Sequence, residues 1–306
     1  MKFENEFHVV AYPLARLFFF EKETVLVCPD RKLRKGKSLI YRNPTIKAAA
    51  PLQNGRKNSI GVCIKGEVYL FGGVTPNFRQ ITSIVKYSAA TKSWQEVGEF
   101  YDDRAGFCVS ALKDNIYFLG GEINSTEVDF NLKFDPANNT WNQVTRMNRG
   151  RSTAACAVFK RQIVVCGGTF YQGDLTSVEA YDPINGSWSY MPSMVEERRM
   201  HKAAAVNKKF FAIGGLGTQS CEVYDHLTNK FTILNQPATW KDDLLLPCFA
   251  ASFQGKLIVL YQNDHVKSRT VAIYDVKEND WKKHRLGNVK EISFRCCVKH
   301  TFLNQL

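Results

Sequence analysis

Residues 151–191 read RSTAACAVFKRQIVVCGGTFYQGDLTSVEAYDPINGSWSYM. After Arg151 come a short apolar run from Ala154 to Phe159, a polar pair in Arg161 and Gln162, and a second apolar run from Ile163 to Cys166. Two glycines, Gly167 and Gly168, end that run, and a polar loop follows. A third run ends in Tyr181-Asp182-Pro183, and Asn185-Gly186 separates it from Trp188. Apolar runs this short, rich in Val, Ile and Tyr and bounded by turn residues, read as β-strands. Asp-Pro and Asn-Gly supply the turn between the last two. The stretch is therefore expected to be one unit of four antiparallel strands.

The unit recurs. The first glycines of successive pairs are Gly72, Gly120, Gly167 and Gly214, with steps of 48, 47 and 47 (120−72, 167−120, 214−167). An arginine stands 16 residues before each of them: Arg56, Arg104, Arg151 and Arg198. Two aromatics recur seven residues apart as Tyr87 and Trp94, Phe134 and Trp141, Tyr181 and Trp188, Tyr224 and Phe231, Tyr274 and Trp281. Fixed offsets across five units mark a radial repeat, in which each unit packs on its neighbours. The glycines are expected where a strand ends under backbone conformations a Cβ opposes. The aromatics are expected to fill space between neighbouring units.

The chain has 306 residues, 44% of them hydrophobic, enough for a sizeable core. It contains no apolar run long enough to span a bilayer. The first residues carry Glu4 and Glu6, and Arg16 interrupts the apolar stretch that follows, so no secretory signal is read. None of the nine cysteines forms a CxxC pair. Cys63, Cys108 and Cys156 lie at offsets of 9, 12 and 11 from the next glycine pair (72−63, 120−108, 167−156), so no site shared by the units is expected from them. They read as small buried hydrophobes in a reducing, cytoplasmic setting. The net charge of +12 favours acidic partners.

Taken in order, residues 1–22 match no unit and are expected to be a linker, with one repeat body over 23–306. Unit one is degenerate, over about 24–50, with SLIYRNP resembling its third strand. Units two to five are expected at 56–98, 104–146, 151–192 and 198–236. Unit six, at 245–286, has Leu245 in the arginine place and Tyr261-Gln262 in the glycine places. Near the C-terminus Arg295 leads another apolar run. Residues 294–301 are expected to supply the strand unit one lacks and so to close the ring, leaving no open edge.

The arginine, the strand, Gly-Gly, Tyr-Asp-Pro and the tryptophan resemble kelch repeats, most closely those of kelch-like adaptor proteins, over about residues 24–301. The resemblance implies a six-bladed all-β kelch propeller, four antiparallel strands per blade. It also implies a protein-binding module, the propeller of a substrate adaptor for a cullin ubiquitin ligase. In that family a BTB and a BACK domain precede the propeller, and the BTB domain docks the cullin. Twenty-two residues precede the repeats here, too few for either domain, so docking is expected only with a BTB domain upstream. Other kelch proteins bind actin, which is the second reading.

The family's arginines lie near the channel mouth and bind acidic segments. Arg56, Arg104, Arg151 and Arg198 match by offset and Arg295 by local pattern, with Asn58, Ser152 and His201 expected on the same rim. Phe170 and Tyr171 are the candidates for the aromatic the family places after the glycines, whereas Glu122 opposes an acidic ligand. Converging guanidiniums suit bidentate capture of carboxylates. The competing expectation is that each arginine ties down its own loop through backbone carbonyls. RKLRKGK (31–37) and KKHR (282–285) read as solvated loops, since nucleic-acid binding wants interleaved aromatics. No membrane partner, metal or cofactor is expected. Oxidase and sialidase readings find neither the histidine spacing nor the repeated acidic turn they need, so no enzyme is expected.

Overall fold

The aromatics seven residues apart are cross-strand neighbours. Tyr87 lies opposite Trp94, Phe134 opposite Trp141, Tyr181 opposite Trp188, Tyr224 opposite Phe231 and Tyr274 opposite Trp281. Their ring centroids are 4.7–5.2 Å apart, a range in which aromatic pairs add to the gain from burial. Each pair sits in the outer hairpin of a four-stranded antiparallel sheet. The computed structural model describes residues 60–65, 67–72, 75, 79–88, 91, 93–100, 104–234, 246–253, 255–263 and 268–285, together with the backbone of four short strands within 24–49.

Five such sheets, or blades, are present among the described residues. Blade two holds Ile60–Ile64, Glu67–Phe71, Ser83–Ser88 and Ser93–Glu99. Blade three holds Cys108–Leu112, Asn115–Leu119, Asn131–Asp135 and Thr140–Val144. Blade four holds Ala155–Phe159, Gln162–Cys166, Val178–Asp182 and Ser187–Met191. Blade five holds Lys202–Val206, Lys209–Ile213, Cys221–Asp225 and Lys230–Leu234. Blade six holds Leu246–Phe253, Lys256–Asn263, Ser268–Asp275 and Asp280–Arg285. In each, sequence order is sheet order.

The expected count of six therefore meets five. In the segment assigned to blade one, Thr24–Cys28 pairs with Thr45–Ala49, and Leu33–Lys35 pairs separately with Ser38–Ile40. The third strand is thus Thr45–Ala49, not the stretch around Tyr41. The SLI segment is one arm of an inserted hairpin, in the place that Thr169–Phe170 and Gly173–Asp174 hold in blade four. A longer hairpin pushed the true third strand past the offset at which the sequence pattern seeks it. The closing strand expected at 294–301 lies outside the described residues.

The chain divides into two compact units, Met1–Tyr101 with Lys290–Leu306, and Asp102–Val289. In the second unit the first strands of blades three to six pack side by side. Its core lies between blades. Ile163 and Val165 face Tyr117 and Leu119 of blade three, whereas Val164 and Cys166, one residue out of phase, face Phe210 and Ala212 of blade five. The next interface joins Phe211 and Ile213 to Leu257 and Val259 of blade six. A strand covered on both faces needs apolar residues throughout, which is why the second strands read as unbroken apolar runs.

The same alternation places the cysteines. Offsets of 12 and 11 point Cys108 forward and Cys156 back, so both pack against the core between blades three and four. The neighbouring Cys156 thiol, together with burial, pushes the Cys108 thiol well up. Cys166 and Cys221 are buried, and none of these four is in a disulfide.

Candidate functional site

Three of the candidate arginines are described, and all are buried inside their own blades. Arg104 is 5% exposed, Arg151 1% and Arg198 0%. Each donates from Nη1 to the carbonyl of the glycine 16 residues on: Arg104 to Gly120 at 2.7 Å, Arg151 to Gly167 at 2.7 Å, Arg198 to Gly214 at 3.0 Å. Each also reaches the carbonyl just before the third strand, of Phe130 at 2.9 Å, Ser177 at 3.1 Å and Ser220 at 2.6 Å. The arginine thus staples the two ends of its blade's loop. Its own carbonyl accepts from the second glycine of the preceding blade, at 2.8 Å for Gly121 to Arg151 and 2.7 Å for Gly168 to Arg198. A Cβ at Gly167 would lie 2.4 Å from the Arg198 oxygen, and its φ is +58°, so only glycine fits there.

A buried carboxylate completes the staple in two blades. Glu179 accepts from Arg151 Nη2 at 2.6 Å and from the Asn148 backbone N–H at 2.7 Å. Glu222 accepts from Arg198 Nη2 at 2.9 Å, and from the N–H groups of Val195 and Glu196 at 2.7 and 2.9 Å. Both glutamates are 0% exposed. An ion pair at this depth is tolerable only with such further hydrogen bonds. In blade three the position holds Leu132, and Arg104 instead lies 4.2 Å from the Phe130 ring centroid, a cation–π contact. These glutamates were missed in the sequence. Their signal was a lone charge two residues before the third-strand aromatic, in VEAYD and CEVYD.

At these three positions of the expected arginine rim the guanidiniums are buried and bonded within their own blades, as the competing expectation has it. Ser152 is also buried, and its Oγ lies 2.8 Å from Thr169 Oγ1. His201 is buried with Nε2 3.2 Å from Cys166 Sγ. Burial, followed by the charges of Arg198, Lys202 and Arg151, holds its pKa well below the ordinary histidine value. Arg56, Asn58 and Arg295 lie outside the described residues.

Phe170 and Tyr171 do reach the surface. They belong to the hairpin after Gly168, whose strands Thr169–Phe170 and Gly173–Asp174 flank a turn at Tyr171 and Gln172. Both turn residues are left-handed, with φ of 52° and 65°. Tyr171 is 88% exposed, the most exposed large hydrophobic residue described. Its N–H donates to Glu127 Oε2 of the corresponding hairpin of blade three at 3.3 Å. Beside it the Arg149 guanidinium covers the Phe170 ring at 4.8 Å from the centroid. Arg149, Phe170, Asp174, Thr176 and Glu197 line a shallow cleft at the foot of the hairpin. Asp174 is bonded to Arg199 at 3.1 Å. Arg149, Glu197 and Arg199 were not anticipated; their sequence signal was basic and acidic residues flanking the repeated arginines. The cleft thus offers an aromatic wall, a cation stacked on it and a carboxylate opposite, a set suited to a polypeptide side chain. Among the described residues no group of three or more His, Cys, Asp or Glu could hold a metal, and no helix is long and apolar enough to cross a membrane.

A family model described as the KLHDC2/KLHL20/DRC7 Kelch-repeats domain matches residues 35–215, or 181 of the 306 residues (215−35+1). No curated protein matches the chain.

Proposed function

The chain belongs to this Kelch-repeats family and has its all-β propeller fold, typically a binding module, and on that premise we propose that it binds a segment of another protein at the loop end of blades three and four. The observation that carries this is Tyr171, standing almost fully in solvent on a left-handed turn beside a ring already covered by Arg149. Left-handed conformation in a bulky residue is unfavourable and is retained where surroundings or function require it. Tyrosine and arginine are also the side chains on which binding energy most often concentrates. The partner segment is read as one with an apolar or aromatic side chain for Tyr171 and Phe170 and a carboxylate for Arg149. The finer reading is a six-bladed ring, closed by residues 294–301, that serves as the substrate-recognition propeller of a cullin-type ligase adaptor.

The test is affinity capture with the chain and with a Tyr171→Ala/Arg149→Ala variant. Partners kept by the parent and lost by the variant are the expected result, with ubiquitination of those partners as the check on the ligase role. An unchanged set of captured proteins would sink the hairpin as the site.

A further inference from the structure

The opposite end of blades four and five carries a second patch. There the turn between strands one and two lies beside the turn between strands three and four: His226 Nδ1 is 3.2 Å from the Lys208 carbonyl oxygen, and Gln162 Nε2 is 3.5 Å from Asp182 Oδ2. In blade four these turns present Lys160 and Arg161 with Ile184; in blade five, Lys208 with Leu227. Ile184 is 79% exposed and Leu227 82%, each two residues after an aspartate that fixes its N–H at 2.8 Å. Turns of adjacent blades touch at this end, as Asn207 Nδ2 donating to the Gly255 carbonyl at 3.0 Å shows for blades five and six.

Two departures from the repeat coincide on these two blades. The apolar tips are absent from the neighbours, where the same position is Ala137 in blade three and Lys277 in blade six. Charge changes in step. In blade four Lys160 and Arg161 face one acid, Asp182, and in blade five Lys208, Lys209 and Lys230 face one acid, Asp225. Blade three sets Lys113 against Asp114 and Asp135, and blade six sets Lys256 and Lys277 against Asp275, Glu278 and Asp280. Asp182 and Asp225 are moreover held in their own turns. Lys160 and Arg161 are left-handed, with φ of 48° and 65°, as are Asn207 and Lys208, at 47° and 63°. Such two-residue turns favour Asn-Gly, so the basic residues are not there for the turn's sake.

We propose that these turns of blades four and five dock on an anionic phospholipid surface. Here the aliphatic groups stand singly on convex tips, each flanked by lysine or arginine. Apolar tips entering the headgroup layer and basic side chains meeting anionic lipid are the two signals that together hold a peripheral protein on a membrane. The charge concentrated on these blades supplies the second; the net charge, which favours acidic partners of any kind, did not locate it, and no membrane partner was expected.

The test is co-sedimentation of the full chain with phosphatidylcholine vesicles, with and without phosphatidylserine, at low and physiological ionic strength. Binding is expected only with phosphatidylserine and weaker at the higher salt. Lys160→Glu/Arg161→Glu/Lys208→Glu should weaken it roughly tenfold or more. Ile184→Ser/Leu227→Ser, two exposed changes that leave the fold intact, should weaken it several-fold at unchanged charge. Tyr171→Ala should leave it unaltered, which separates this surface from the protein-binding hairpin. Failure of the parent chain to bind phosphatidylserine vesicles would overturn the proposal, as would indifference to the Ile184/Leu227 change. Capture of an acidic protein through these turns without lipid binding would replace it with a protein interface.

Discussion

Blades four and six are built from the same repeat, but the residues that staple the loop of blade four have other residues in their places in blade six. Blade four has Arg151, Gly167 and Glu179, joined by hydrogen bonds, and its strands are five residues long. Blade six has Leu245, Tyr261 and Ala272 at these places, and its first three strands run to eight residues. The reason lies in the glycine. Gly167, at φ of +58°, turns the chain out of the strand and exposes the carbonyl that Arg151 takes. Tyr261 keeps the backbone extended, and its ring fills the interface with blade five, the hydroxyl 3.9 Å from Cys221 Sγ. Arginine and glycine are therefore one device, to which blades four and five add the glutamate. A glutamate buried without its arginine would be an uncompensated charge, and blade six has instead a fully buried alanine.

The largest effect should come from breaking the device in part. Arg151→Leu leaves Glu179 buried and short of its cation, and should cost about 3–5 kcal/mol in urea unfolding. Arg151→Leu/Glu179→Ala, which gives blade four the residues of blade six, should be at least about 1 kcal/mol more stable than the single change. A double variant no better than the single would break the comparison. Gly167→Ala comes next, at about 2–4 kcal/mol, because the new Cβ meets the Arg198 carbonyl in a left-handed conformation.

The pH dependence is smaller. His201 has a native pKa held below its ordinary 6.5, so the unfolded chain takes up a proton first as pH falls. Stability is full above about 6.5 and should fall by about 1.4 kcal/mol per pH unit below it until the native pKa is reached. His201→Gln should flatten that slope in thermal unfolding followed from neutral to mildly acidic pH. Smallest of all is Tyr171→Ala, expected to shift unfolding by no more than about 0.5 kcal/mol, since its side chain stands in solvent.

Features local in sequence were legible. The glycine pairs, the arginines 16 residues before them and the aromatics seven apart all rest on single turns or hairpins, whose spacing hardly varies. Glu179 and Glu222 were not legible because their distance from the arginine floats with the loop: 28 residues in blade four and 24 in blade five (179−151, 222−198). The third strand near residue 45 was misplaced for the same reason. The candidate site divided along another line. Sequence position put arginines at the ends of strands, but whether a guanidinium points to solvent or to a carbonyl depends on partners far along the chain. The exposure of Tyr171 was legible because a hairpin tip exposes whatever it carries.

The account rests on the repeated arginine holding the blade while the hairpin tip meets the partner. The direct test is the affinity of one captured partner for two variants, Tyr171→Ala and Arg151→Leu/Glu179→Ala, each shown to be folded. Binding lost in the first and kept in the second is the expected result. Binding kept in the first and lost in the second would return the arginines to the ligand and contradict it.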